Sequence, residues 1–201
     1  MIFSSAFFLK LFADFVPLHF DKFNVSQKNK MSRIFLIGYM GAGKTTVGKL
    51  LATRLNMPFI DLDAYIEQRF FKTVSQIFEE KGEDGFRKIE QAMLREITDF
   101  EDTILAVGGG TPCFFDNMQV MNEKGLTVYL KTSPEMLCKT LSKAKTKRPL
   151  IANKTDEELL AFIEENLAKR EFFYTQAQAI VSTENDIKNI VEEICGLLTT
   201  K

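Results

Sequence analysis

The chain has 201 residues, 45% apolar and 26% charged, which suits one α/β domain with its own core. A net charge of −1 argues against a general nucleic-acid binder, which presents a basic face. Cys113, Cys138 and Cys195 are far apart and His19 is the sole histidine, which argues against a zinc cluster and nearly excludes histidine-based acid–base chemistry; reduced thiols in a reducing compartment are expected.

Residues 1–30 differ in character from the rest of the chain. The stretch Phe3–Phe23 is rich in Phe but broken by Lys10, Asp14 and Asp21, so it lacks the long apolar run of a membrane span. It also lacks the basic start of a signal peptide, because Lys10 comes after Phe7, Phe8 and Leu9. A polar stretch, Ser26–Lys30, leads to Met31, and an α/β pattern then starts abruptly. Residues 1–30 are expected to be an extension, either disordered or an artefact of start-codon choice. An amphipathic docking or membrane-surface segment is the alternative.

Arg33–Ile37 is an apolar run that reads as a buried parallel strand. Gly38-Tyr39-Met40-Gly41-Ala42-Gly43-Lys44-Thr45 comes next and matches GxxxxGK[ST]. A helix is expected over Lys44–Asn56, with Val47, Leu50, Leu51 and Leu55 on one face. Strand before and helix after is the context that a phosphate-binding loop requires. Its glycines let backbone N–H groups cradle phosphate oxygens, and the helix N-terminus adds partial positive charge. In this motif Lys44 reaches the β- and γ-phosphates and the Thr45 hydroxyl ligates Mg²⁺. Gly41, Ala42, Gly43, Lys44, Thr45 and Thr46 are therefore the expected nucleotide-binding residues. A bare turn between strand and helix would need neither the Lys nor the Thr.

Pro58–Leu62 reads as a second short strand running into Asp63. On an extended strand Asp61 and Asp63 face the same side, at the carboxyl end where parallel sheets bind ligands. One can hold metal-bound water and the other an acceptor hydroxyl; helix capping by Asp63 is the alternative. Helices are expected at about 74–81 and 84–99, the second with Phe86, Ile89, Met93 and Ile97 at helical spacing. Arg87 and Glu90 lie on adjacent turns of that helix. Arg87 can bind a carboxylate through two bonds while Glu90 fixes its fork, or the two form a surface ion pair. A third strand, Thr103–Val107, ends in Gly108-Gly109-Gly110, where three glycines point to close backbone approach to a substrate rather than a plain turn.

Leu126–Leu130 is the fourth strand. A helix at 134–143 leads into a polar segment, 143–154, which contains Lys143, Lys145, Lys147 and Arg148 before Pro149. Beside a P-loop such a segment reads as a lid that carries a cation over the transferring phosphoryl group; a solvated charge run is the alternative. Thr155 and Glu158 form a capping box for a helix to about Ala177, with Ile163, Leu167, Arg170 and Tyr174 on one face. There Arg170 either meets an anion or snorkels to solvent. Ala179–Ser182 is the last strand, and the stripe from Ile187 to Leu198 marks a final amphipathic helix. The alternation predicts a parallel sheet covered on both faces, in one domain over 31–201.

The ordered set Gly38–Thr45, Asp61/Asp63, Phe86–Glu90, Gly108–Gly110, Arg148–Leu150 and Arg170/Tyr174 resembles the shikimate kinase family over about residues 31–198. The resemblance implies an α/β, three-layer P-loop NTPase fold with a five-stranded parallel sheet in the order 2-3-1-4-5 and a mobile lid. It implies ATP- and Mg²⁺-dependent phosphorylation of the 3-hydroxyl of shikimate, on the route to chorismate and aromatic amino acids. A cytoplasmic monomer is expected, with no membrane or nucleic-acid partner. By motif match, Lys44, Asp63 and Arg148 are catalytic, and Arg148 also contacts the nucleotide. Asp63, Arg87, Arg170, Gly108, Gly109 and Gly110 hold shikimate; Thr45, and Asp61 through water, hold Mg²⁺. The segment before Arg148 departs from the family in offering lysines instead of a second arginine, and Ser182–Asp186 takes the place of the adenine loop without its signature. The rival readings are a gluconate-type or nucleotide kinase and a non-catalytic nucleotide-binding module. An acidic residue at the acceptor favours a polyol over a nucleotide, and retention of Lys44 and Asp63 disfavours the non-catalytic module.

Overall fold

A computed structural model describes residues 33–143, 151 and 154–199. The chain divides into two compact units, Met1–Lys30 and Met31–Lys201, and the fold is that of the second. The extension 1–30 and most of the expected lid, Arg148 included, lie outside the described residues.

Strand β1 (Ile34–Ile37) is four apolar residues, all fully buried, as befits a strand covered on both faces. It pairs in parallel with β3 (Ile104–Ala106) on one side and β4 (Leu126–Lys131) on the other. The edges are β2 (Phe59–Asp61), beside β3, and β5 (Ala179–Ser182), beside β4. Among the described residues this gives five parallel strands in the order 2-3-1-4-5, as the resemblance implies. Parallel strands send all their carboxyl ends to one edge. The loops after β1, β2 and β3 are thereby neighbours, because β3 lies between β2 and β1.

The connections are helices α1 (Lys44–Leu55), α2 (Leu62–Phe70), α3 (Val74–Ile97), α4 (Asn117–Lys124), α5 (Pro134–Ser142), α6 (Asp156–Tyr174) and α7 (Ile187–Thr199). None of the described helices is long and apolar enough to cross a membrane. The capping box at the start of α6 forms as expected: Glu158 N–H donates to Thr155 Oγ1 at 3.2 Å, and Thr155 N–H donates to Glu158 Oε2 at 2.8 Å. The two helices expected at 74–81 and 84–99 form one run, bent at Gly82 (φ 65°, ψ −178°).

Four local expectations need correction. Helix α2 begins at Leu62, so β2 stops at Asp61 and Asp63 sits in a first helical turn rather than on a strand. Asp61, not Asp63, caps that helix, accepting from Ala64 N–H at 3.4 Å. Helix α4 has no signal in the sequence pattern; its apolar stripe is short, with only Met118 and Met121 as buried apolar residues. Leu50 is 42% exposed, so α1 packs through Val47, Gly48 and Leu51 instead.

Candidate active site

The loop after β1 turns through Gly38, Gly41 and Gly43, with φ of 141°, 87° and 87°. An L side chain in left-handed backbone costs roughly 1–2 kcal/mol. A Cβ on Gly43 would meet nothing within 4 Å, so conformation, not space, demands that glycine. Helix α1 starts with no side-chain cap, and a helix N-terminus favours an anion. Lys44 Nζ donates to the carbonyls of Gly38 at 2.8 Å and Tyr39 at 2.9 Å, which arches the ammonium back over the loop. Thr45 Oγ1 donates to Asp61 Oδ2 at 2.9 Å. The hydroxyl and carboxylate expected at a metal are therefore side by side.

The triple glycine obeys a different rule. None of Gly108, Gly109 and Gly110 has positive φ; what they supply is room. A Cβ on Gly108 would lie 3.1 Å from Glu90 Oε1 and 3.2 Å from Asp63 Oδ1. One on Gly109 would lie 3.3 Å from Met40 N and 3.4 Å from both Arg170 Nη1 and Gly38 O. One on Gly110 would lie 2.6 Å from Arg87 Nη2 and 2.9 Å from Nη1. Side chains from α2, α3 and α6 thus converge on one loop, and that loop touches the phosphate-binding turn.

Arg87 and Glu90 are not a surface pair. Their side chains are 12% and 1% exposed, and Arg87 Nη1 donates to Glu90 Oε2 at 2.8 Å. The other Glu90 oxygen accepts from Thr111 Oγ1 at 2.6 Å. Asn117 Nδ2 donates in turn to the Thr111 carbonyl at 3.0 Å. Arg87 Nε is buried with no hydrogen-bond partner among the described residues. Arg170 lies over the Tyr39 ring, with its guanidinium carbon 5.3 Å from the centroid. The Tyr174 hydroxyl donates to the Gly109 carbonyl, which pins the end of α6 to the glycine loop.

Solvent reaches Asp63 from the cleft, while protein crowds it elsewhere. That crowding first, then the Asp61, Glu90 and Glu67 carboxylates, push its carboxyl up to about 6 against the pull of Lys44. Solvent access tempers the crowding, and the like charges act in the same direction. A carboxyl placed between carboxylates and one ammonium can both orient a hydroxyl and take up a proton near neutral pH.

Some features of the site carry no sequence signal of their own. Thr111 and Asn117, which lock Glu90, and Phe114, which lies against Arg87, follow no diagnostic spacing; adjacency to the triple glycine is the one clue. A cavity of about 540 Å³ lies at the carboxyl ends of β4 and β5, lined by Tyr129, Lys131, Thr132, Ser182 and Glu184 among others. No P-loop residue and none of the convergent charged side chains lines it. The charged groups meet instead at the glycine loop.

The sequence model of the family described as shikimate kinase matches residues 40–199. A shikimate kinase of Phocaeicola vulgatus is 59% identical over 148 residues, which are 74% of this chain and 85% of the relative. The crystal structure of shikimate kinase from Bacteroides thetaiotaomicron superposes with a TM-score of 0.81 at 51% identity, covering 85% of this chain and 99% of that one. Shikimate kinase from Acinetobacter baumannii, solved in complex with shikimate, superposes at 0.76 with 33% identity over 85% and 94% of the two chains.

Proposed function

The chain belongs to the shikimate kinase family and is an ATP-using kinase of shikimate in aromatic biosynthesis; from this premise we propose how its residues divide the transfer of the γ-phosphoryl group to the 3-hydroxyl. The observation that carries the assignment is the convergence of Asp63, Arg87 with Glu90, and Arg170 on Gly108–Gly110 beside the P-loop. Shikimate offers one carboxylate and a set of hydroxyls. Two guanidinium groups answer the first, and Asp63 the second.

Gly41, Ala42, Gly43, Lys44, Thr45 and Thr46 take the phosphates. Lys44 exchanges the carbonyls of Gly38 and Tyr39 for phosphate oxygens and neutralises charge as it builds on the transferring group. Asp63 aligns the attacking hydroxyl and accepts its proton. Phosphoryl transfer rests mainly on position and field, so alignment is the larger part of this role. Arg87 and Arg170 hold the carboxylate, and the backbone of Gly108–Gly110 lets the ring approach. Arg148 supplies a further cation to the phosphoryl group, a role that rests on sequence alone.

Thr45 and Asp61 suit Mg²⁺. Both offer hard oxygens, they are already in contact, and Mg²⁺ takes few protein ligands, keeping water and phosphate for the rest. Held there, the ion would supply neutralisation of the negative charge on the phosphates. The catalytic unit is Met31–Lys201, acting as a cytoplasmic monomer without a nucleic-acid or membrane partner, and a chain lacking residues 1–30 keeps its activity.

The deciding experiment is a coupled assay with shikimate, its methyl ester, gluconate and nucleoside monophosphates. Hydrogen bonds to charged groups contribute roughly 1.5–3 kcal/mol each. Masking the carboxylate should therefore lower kcat/KM by about 10- to 10⁴-fold. An ester phosphorylated as well as the acid would remove the arginines from the acceptor site. Preference for gluconate or a nucleotide would overturn the acceptor.

A further inference from the structure

We propose that Phe114 is a positioning residue for acceptor specificity: the Arg87 guanidinium carbon lies over its ring, and that contact limits the swing of the group so that its Nε–Nη2 edge takes the substrate carboxylate. The inference rests on the reading of Arg87 as a carboxylate ligand.

The guanidinium carbon of Arg87 is 4.2 Å from the Phe114 ring centroid. Phe86 at 5.4 Å and Phe78 at 5.8 Å complete an aromatic surround, and these two rings stack on each other at 4.3 Å. Phe114 is thus the nearest ring and the one supplied from outside α3 and its flank. Glu90 takes Nη1 at 2.8 Å. Among the described residues the opposite edge, Nε with Nη2, has only a long 3.4 Å contact from Nη2 to Glu83, and Nε has no hydrogen-bond partner. Two N–H groups directed the same way are the donor pair that fits a carboxylate. An arginine held by one short hydrogen bond could still swing about it; a ring in contact with its guanidinium restrains that swing, and the cation–π attraction is strongest where water is excluded.

The backbone is arranged to deliver this ring. Phe114 is extended (φ −118°, ψ 143°) after the short 3-10 turn Thr111–Cys113. Phe115 then takes φ of 53°, an uncommon conformation for an aromatic residue, and ends 56% exposed. Asp116 anchors the segment to α3, accepting from Arg95 Nη2 at 2.8 Å and Gln91 Nε2 at 3.0 Å. The left-handed turn leaves one phenylalanine in solvent so that its neighbour faces Arg87.

The test is steady-state kinetics with shikimate and its methyl ester on the wild type, Phe114→Leu, Phe114→Met, Phe114→Tyr and Arg87→Lys. Leu and Met should raise KM for shikimate roughly 3- to 30-fold, the span of a partly buried cation–π contact. Turnover and KM for ATP should stay within about twofold, the ester should be nearly unaffected, and the preference for acid over ester should fall. Tyr keeps the ring face and should restore that preference. Equal losses for acid and ester, or no loss for either, would overturn the role of Phe114. If Arg87→Lys leaves the preference for acid intact, the assignment of Arg87 fails first, and the two failures are distinct. Phe114 is outside the buried core, so all three of its variants should fold, with melting temperature as the check.

Discussion

On the proposed phosphate side of the cleft the backbone carries the field; on the proposed acceptor side, side chains carry it and other side chains hold them. The P-loop is one contiguous stretch, Gly38–Thr45, and its glycines all take positive φ, Gly43 with open space around it. The acceptor wall is drawn from α2, α3, the loop after β3 and α6, and its glycines are there for the space they leave. A backbone cradle is fixed by local conformation and binds any polyphosphate. A wall of buried, mutually bonded side chains can distinguish one small acid from another, because each group left unpaired by the wrong ligand costs free energy. Generality and selectivity are thus placed on opposite sides of the same loop contact.

The comparison breaks most visibly at Lys44. Lys44→Ala should lower kcat by roughly 10³-fold or more with the fold unchanged, since this side chain lies at the loop and not in the core; circular dichroism and a single-turnover assay would check both halves. Next comes Asp63→Asn, with a loss of roughly 10²- to 10³-fold. In the wild type, kcat/KM should fall as pH drops below about 6, where Asp63 takes its proton, and the variant should lack that limb. The stability effect has the opposite sign. A carboxyl whose pKa is raised in the folded state binds its proton more tightly there, so stability falls as pH rises from about 4 through 6. Asp63→Asn should therefore melt slightly higher than wild type at pH 8, by on the order of 1–3 °C for less than ~1 kcal/mol at a solvent-accessible group.

Two glycine substitutions sharpen the contrast. Gly43→Ala strains a backbone at φ 87° with open space around it, at roughly 1–2 kcal/mol, and should raise KM for ATP about 5- to 30-fold. Gly110→Ala pushes on both terminal nitrogens of Arg87 and should raise KM for shikimate about 10-fold while sparing ATP. If both variants affect the same substrate, the division is wrong. The smallest effect belongs far from either wall. Phe71 caps α2 at φ 53° and is 93% exposed. Phe71→Gly should raise the melting temperature by about 2 °C through relief of left-handed strain, with kinetics unchanged.

The same division governs what can be read from residue order. The P-loop is legible to the residue, since a cradle made of consecutive amides needs only local spacing. The alternation of elements is legible too, because buried parallel strands are short apolar runs between glycine-marked turns; their order in the sheet is implied only by the family resemblance. The acceptor wall is legible only as separate motifs. That Glu90 is buried, and that Thr111 and Asn117 hold it, depends on how α3 lies against the turn after β3, and no spacing encodes that. Asp63 shows the failure in miniature. The residue pattern predicts a strand running past Asp61, but Asp61 both ends β2 and caps α2, so the chain changes from extended to helical between two carboxylates. Their convergence on the cleft survives with a different geometry behind it.

Helix α6 starts on its own terms. Thr155 and Glu158 satisfy each other's backbone N–H groups, and at the far end Tyr174 is fastened to Gly109. The helix spans 19 residues, about 28 Å at 1.5 Å per residue, and Arg170 rides on it one turn from the fastened end. Its position is inherited from the glycine loop, from its own cap and from α5, whose Ser142 hydroxyl donates to Asp156 Oδ1 at 3.0 Å. Arg170 is thereby carried on a strut held at both ends, so a change at either end, in the Thr155 cap or at the glycine loop, should re-aim its guanidinium.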